Sequence, residues 1–269
     1  MLIAPARPDF YFLPFILSSL SEVKRKVWKL KRFFSILWDL FRAAADSVNG
    51  PPKSDAFPPC TEHTVRVKIV REEPLISCGA FSETREWKMV RSKLHKAIRS
   101  VEWPPGSGSF TIYPQSGRKR GEGNGVTPIK QGLMIDLKKQ GWRIEGQAKL
   151  GEKGTLGDFD AVFETSFGPV VVEWETGNIS SSHRSLNKMS LCIMRGKIAA
   201  GILIVPSREL YKYLTDRVGN MRELEPYLDL WKAVPCRHGG VLEIVAIEQD
   251  AISMNVPRIR KGTDGRALA

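Results

Sequence analysis

Cysteine is scarce in this chain, and neither its cysteines nor its histidines show a metal-binding spacing. There is no C-x-x-C pair and no zinc-finger pattern. We therefore expect free thiols in a reducing cytoplasm, and neither a disulfide framework nor a structural zinc site. No internal repeat is visible, which excludes solenoid architectures. The cysteines are Cys60, Cys78, Cys192 and Cys236.

A long apolar run is also missing. No stretch reaches the roughly 18 apolar residues that a transmembrane helix needs. The nearest, residues 10–17, is short and broken by Pro14. Asp9 lies at its start and no clear small-residue cleavage pattern follows, so it does not match a signal peptide. We expect a cytoplasmic protein with no stable membrane span.

Positive charge is what the chain has in excess. Lys and Arg number 41 against 29 Asp and Glu, for a net charge of +12. This excess suggests an anionic partner, either nucleic acid or an acidic membrane surface. With 269 residues, 42% of them hydrophobic, the chain can bury one good-sized core and carry an appendage.

The first 60 residues differ from the rest. Residues 21–45 combine helical apolar spacing with a basic cluster, and residues 49–59 form a turn-rich linker. This helix could bind a membrane surface or a partner, could dock on the core, or could reflect a start codon assigned too far upstream. We divide the chain into a helical extension with a Pro-rich linker at 1–60, a main domain at 61–250 and a basic tail at 251–269.

Strands alternate with helices in the main domain, which predicts an α/β fold with a central sheet. The predicted strands cover 64–70, 142–148, 159–165, 170–175, 198–205 and 241–247, and the predicted helices cover 83–101, 128–140, 182–195, 207–214 and 223–233.

Two glutamates flank a tryptophan where a core strand should end. Side chains alternate across a strand, so Glu173 and Glu175 should point to one face. A hairpin turn at 166–169 would set Asp160, on the preceding strand, beside Glu173. Two carboxylates can share a face at low free-energy cost only if the face is exposed to solvent or binds a cation, because burying unpaired charge is unfavourable. Their oxygens suit Mg²⁺.

Asp158 is the alternative to Asp160 as the aspartate ligand. It lies two residues away and could share the same face. We prefer Asp160, because a ligand inside a strand is held more firmly than one at its edge. The plainer alternative for the glutamates is an exposed strand face without a catalytic role.

The order of these motifs resembles a known nuclease superfamily. An aspartate, a turn and then Glu-x-Glu on an apolar strand resembles the PD-(D/E)XK core, in the variant where glutamate replaces lysine, as in BamHI-type restriction endonucleases. The wider run is similar to the BglII and BstYI family of type II restriction endonucleases. The resemblance covers about residues 61–248. Its carriers are residues 118–128, 140–142, 173–175, 182–189 and 201–207.

The resemblance implies a type II site-specific deoxyribonuclease, with a mixed central sheet flanked by helices and the N-terminal helical extension added. It implies that Asp160, Glu173 and Glu175 form the Mg²⁺ site and activate water to hydrolyse a phosphodiester. Asp160 and Glu173 would be shared ligands, and Glu175 would orient or deprotonate the water. Because position 175 is not lysine, the phosphate needs another cation, either a second metal or a nearby Arg or Lys.

The expected partner is double-stranded DNA, read by a homodimer because palindromic targets match two-fold protein symmetry. The resemblance adds a target with a GATC core and a cognate DNA methyltransferase acting on the same site. Two other functions fit the same residues. One is a repair or junction nuclease with the same chemistry, and the other is a catalytically inactive DNA-binding module.

Cations outside the acidic cluster are candidates for DNA contact. A glycine-rich loop carries Arg118, Lys119 and Arg120, and its backbone could approach phosphates or could simply be a solvated loop. Arg184 and Lys188 lie four residues apart on one helix face. They could contact the DNA backbone or could form an ordinary solvated face.

Overall fold

The computed structural model describes residues 67–118, 122–146, 158–215 and 218–260. Within these ranges, eight strands and six α-helices are present. The strands are β1 (Lys68–Cys78), β2 (Thr111–Ile112), β3 (Arg143–Gly146), β4 (Phe159–Thr165), β5 (Gly168–Trp174), β6 (Ala200–Pro206), β7 (Gly240–Glu248) and β8 (Ala251–Ile252). The helices are α1 (Arg85–Arg99), α2 (Thr127–Lys139), α3 (Ile179–Met194), α4 (Arg208–Tyr211), α5 (Met221–Leu224) and α6 (Leu228–Lys232).

The main sheet is mixed, as expected. In the described part it has six strands in the order β1-β7-β6-β5-β4-β3. β5, β6 and β7 are parallel to one another, whereas β4 is antiparallel to β5 and β1 is antiparallel to β7. The three parallel strands therefore finish at one end, which we call the carboxyl end of the sheet. Ligands commonly bind at this end of an α/β sheet.

Helices cover both faces of this sheet. α1 and α2 contribute Trp87 and Leu133 to one core cluster, and α3 and α6 contribute Met189 and Trp231 to the other. Every residue of β6 is buried, as expected for a strand covered on both faces. α3 packs closely on β6. Gly201 of β6 makes this possible, since a Cβ at that position would lie only 2.9 Å from Met189 of α3. The fold class predicted from the sequence is confirmed.

Two predicted elements differ from the structure in instructive ways. β1 continues to Cys78, well beyond the predicted end at residue 70, because it pairs with β7 along its whole length. Its charged residues also find partners, since Arg71 contacts both Glu73 and Glu225. The predicted helix at 223–233 is interrupted by a 3-10 turn at Glu225–Tyr227. Its proline cannot donate the hydrogen bond that a continuous helix requires.

The cysteine expectation is wrong for one pair. Cys78 and Cys236 are joined in a disulfide with Cα atoms 6.4 Å apart. They meet because Cys78 pairs with Gly240 at the start of β7, just after Cys236. Cys192 is free and buried, and Cys60 lies outside the described residues.

The predicted extension at 1–60 and the last nine residues of the tail, 261–269, lie outside the described residues, so the domain division stays a prediction. Over the ranges that the structure does describe, no helix has both the length and the apolar character needed to cross a membrane.

A buried glutamate on β7 lies two strands away from β5, the strand of the glutamates predicted to be catalytic. Glu243 is 5% exposed, and its nearest cationic partner is Arg91 of α1, whose Nε lies 3.4 Å from Oε1. Burial raises the pKa of Glu243 from 4.5 to about 7, against the opposing effect of Arg91. The folded protein therefore holds a proton on this carboxyl at pH values where the unfolded chain has released it.

We expect the free energy of unfolding to fall as the pH rises from 4.5 to about 7, with Glu243 contributing up to about 3 kcal/mol to the fall. A Glu243→Gln variant should lose less stability over this window, because glutamine does not titrate. Urea denaturation at about pH 5 and about pH 8 measures the difference. Equal losses in the variant, the wild type and a control variant at the exposed Glu83 would contradict the assignment.

Candidate active site

A tight hairpin aligns Asp160 and Glu173, two of the three carboxylates predicted to bind metal. Thr165 of β4 pairs with Gly168 of β5, which leaves a two-residue turn between the strands. Gly168 has a φ of 114°, a backbone conformation that favours glycine. The register pairs Ala161 with Val172 and so sets Asp160 beside Glu173.

Asp160 is held from two sides. Its Oδ2 accepts a hydrogen bond of 2.8 Å from the backbone N–H of Trp174. Its Oδ1 accepts one of 2.6 Å from Nζ of Lys130, in the first turn of α2. The neighbouring strand thus fixes the orientation of the carboxylate, and Lys130 of α2 offsets its negative charge.

Glu173 shares its environment with Asp160 and with Lys188 of α3. Lys188 Nζ forms an ion pair with Glu173, donates a hydrogen bond of 2.8 Å to the carbonyl of Asp158, and lies 4.1 Å from the centre of the Phe159 ring. The Glu173 and Lys188 side chains are only 14% and 10% exposed. Burial and then repulsion from Asp160 raise the pKa of Glu173 to about 7, although Lys188 opposes this shift.

Glu175 lies just beyond the end of β5 and is buried. Its Oε2 accepts a hydrogen bond of 2.8 Å from the hydroxyl of Ser182, and its Oε1 accepts one of 2.5 Å from the backbone N–H of Gly177. Burial raises the pKa of Glu175, and both hydrogen bonds oppose the rise. The side chain is held in one orientation and is a stronger base than an ordinary glutamate.

The structure thus brings Asp160 and Glu173 together at the carboxyl end of the sheet, with Glu175 on the same strand end. Asp158 is exposed and touches the cluster through its backbone carbonyl. Lys188, predicted to contact DNA, lies against Glu173. Arg184 is exposed on α3.

The basic loop is described only in part. Arg118 is exposed and lines a cavity of about 540 Å³ together with Arg208, Tyr211 and Lys212. Arg208 stacks on the Tyr211 ring at 5.0 Å. Lys119 and Arg120 lie outside the described residues.

Sequence reasoning missed the contact of Lys130 with the cluster, and it assigned nothing to Glu145, which is exposed on β3. Pro128 marked the start of α2, but no local pattern showed that its first turn reaches Asp160. The β3–β4 register pairs Ile144 with Ala161, which puts the backbone of Glu145 alongside that of Asp160. Glu145 has a φ of 50°, uncommon for a residue other than glycine.

The donor set fits a hard divalent cation. Asp160 and Glu173 offer carboxylate oxygens, which Mg²⁺ prefers. Burial, and then repulsion from Asp160, raise the pKa of Glu173, so a bound cation would stabilise its charged form. Across the described ranges, no three Asp, Glu, His or Cys side chains are close enough to hold a metal as they stand. Lys130 and Lys188 contact Asp160 and Glu173, and Glu175 is turned towards Ser182.

A family model decides what this cluster belongs to. The model described as restriction endonuclease BamHI matches residues 67–266, about three quarters of the chain. The chain belongs to the BamHI family of restriction endonucleases. Members of this family are sequence-specific DNA endonucleases that generally depend on a divalent metal, so this chain is a hydrolase that acts on DNA. The resemblance identified in the sequence is confirmed.

Individual relatives agree with the family. The type II restriction enzyme OkrAI from Oceanobacter kriegii is 43% identical over 202 residues, which cover 75% of this chain and all of OkrAI. The type II restriction enzyme BamHI from Bacillus amyloliquefaciens is 36% identical over 182 residues, covering 65% of this chain and 80% of BamHI. Among solved structures, BglII complexed with a DNA 16-mer aligns with a TM-score of 0.45 at 11% identity, covering 67% of this chain and 79% of BglII.

Proposed function

We propose that this BamHI-family protein is a Mg²⁺-dependent type II restriction endonuclease, with Asp160, Glu173 and Glu175 as its catalytic and metal-binding residues. The observation that carries the proposal is the pairing of Asp160 with Glu173, two partly buried carboxylates on neighbouring strands, each in contact with a lysine. A merely structural ion-pair cluster would not need its carboxylates to face each other.

Asp160 and Glu173 would hold the metal at the carboxyl end of the sheet. When bound, Mg²⁺ would polarise the scissile phosphate and lower the pKa of a water molecule. Glu175 would orient this water and accept its proton, because Ser182 and Gly177 fix its carboxylate and burial raises its pKa.

Position 175 is a glutamate instead of the lysine of the usual motif. Lys130 and Lys188 would supply the positive charge that such a lysine provides. Lys130 and Lys188 contact Asp160 and Glu173, so a cation bound between the carboxylates would compete with both ammonium groups. A displaced ammonium group stays within reach of the scissile phosphate and would offset the charge that builds on it. In this role Lys188 keeps its proposed contact with DNA, at the phosphate that is cut.

DNA binding would use cations outside the carboxylate cluster. Arg118, Lys119, Arg120 and Arg184 would contact the backbone, and the cavity that Arg118 lines with Arg208 and Lys212 supports the first of these assignments. The protein would act in the cytoplasm as a homodimer on a palindromic target with a GATC core, with a cognate methyltransferase protecting that site.

Cleavage of unmethylated phage DNA tests the function directly. With Mg²⁺, the full chain should give discrete fragments, and EDTA should abolish them. A metal-dependent smear would favour a repair or junction nuclease. No cutting, together with salt-sensitive binding, would favour an inactive binding module. The fragment ends identify the target and the cut position.

A further inference from the structure

A basic groove runs along the outer side of α1, on a part of the fold that the active site does not use. It encloses about 490 Å³. Its lining is mostly polar, and five of its residues are basic or histidine. The lining residues are Ser82, Trp87, Lys88, Arg91, Ser92, His95, Lys96 and Arg99. We call this feature the α1 groove.

Three cations in the α1 groove have no acidic partner in the described part of the chain. Arg91 and His95 both contact Glu72, at 2.6 Å and 2.7 Å. Burial lowers the pKa of His95, so its ring adds little charge at neutral pH. The remaining cations are Lys88, Lys96 and Arg99, which are exposed. Unpaired positive charges on one face of a helix can bind an anionic ligand.

The α1 groove runs towards the carboxyl end of the sheet, where the predicted catalytic carboxylates lie. Near the start of α1, Glu86 accepts hydrogen bonds from Ser166 in the β4–β5 turn, at the opposite end of the sheet. Farther along, Arg91 meets Glu243 and His95 meets Glu72. Because Glu72 pairs with Val245 of β7, these contacts progress towards the carboxyl end. Lys96 and Arg99 therefore lie on the active-site side of the groove.

We propose that the α1 groove binds the phosphate backbone of DNA that flanks the cleavage site. At the rise of an α-helix, Lys88 and Arg99 are about 16 Å apart along the axis, which matches the rise of about five base pairs. Exposed cations on flexible stems attract phosphates but do not read bases. The groove would add affinity for long DNA without changing the sequence that is cut. This inference rests on the proposed endonuclease function.

The experiment compares two duplexes centred on the cleavage site read from the phage fragments. One has about 12 base pairs, just over a helical turn, and the other about 40. The groove variant combines Lys88→Gln, Lys96→Gln and Arg99→Gln in the full chain. The control variant removes equal charge at Arg195, Lys197 and Arg237, which are exposed and precede β6 or β7 at the other end of the sheet. The dissociation constant is measured against salt concentration in EDTA.

With the long duplex, the groove variant should bind at least about tenfold more weakly, and the slope of log K against log salt should shrink by about two to three units per protomer, or about five for a homodimer whose two grooves both contact DNA. With the short duplex, it should bind and cut like the wild type. The inference is overturned if the slope on the long duplex is unchanged, if the control variant loses as much, or if both duplexes are affected equally. Failure of the proposed function would look different, because the wild type would then give no discrete phage fragments from which a cleavage site could be read.

Discussion

A Glu173→Gln variant is expected to cut DNA at least about 10³-fold more slowly than the wild type while binding it with similar affinity. Glutamine keeps the shape of the side chain and can still accept a hydrogen bond from Lys188, so the fold should survive. It removes the charge that would hold the metal beside Asp160. Single-turnover cleavage at saturating Mg²⁺ measures the rate, and a binding titration in EDTA measures the affinity.

Glu164→Gln is the matched control. Glu164 lies on the same hairpin, but it is exposed and pairs with Arg143 at the surface. This variant should retain the wild-type rate. If Glu173→Gln cut within tenfold of the wild type, the assignment of Glu173 as a metal ligand would be wrong.

Lys130→Met is expected to have two opposite effects. The cleavage rate at saturating Mg²⁺ should fall about 10²-fold to 10³-fold, because the scissile phosphate loses a nearby cation. The Mg²⁺ concentration for half-maximal cleavage should also fall, because an ammonium group 2.6 Å from Asp160 no longer competes with the metal. Cleavage rates measured across a Mg²⁺ titration separate the two effects.

Lys138→Met, on the exposed side of the same helix, is the control and should change neither quantity. A Lys130→Met variant that cuts as fast as the wild type, or faster, would show that Lys130 only occupies the metal position. An unchanged Mg²⁺ requirement would show that the contact with Asp160 does not compete with metal binding.

Local patterns were sufficient for the part of the site built on the hairpin. The predicted strand at 159–165 has the bounds of β4. A short turn joins β4 to β5, so alternation along each strand was enough to set Asp160 beside Glu173. The resemblance to restriction endonucleases added the chemistry.

Contacts between distant segments could not be predicted in this way. Lys130 reaches Asp160 only because α2 packs across the sheet, and a single sequence carries no signal for that packing. The contact of Lys188 with Glu173 could not be predicted for the same reason: helical spacing places a lysine on a face but does not show what that face packs against. The disulfide likewise depends on the pairing of the two ends of the domain, β1 with β7.

The close packing of α3 on β6 has a consequence for how this active site can change. Ser182 and Lys188, which contact Glu175 and Glu173, both lie on α3. The distance of that helix from the sheet depends on Gly201, where an added Cβ would meet Met189 of α3. A larger residue at 201 would push the helix outward and pull both contacts away from the carboxylates together. Mutations at the glutamates and at Gly201 are therefore coupled, and libraries that vary the catalytic residues should hold this glycine constant.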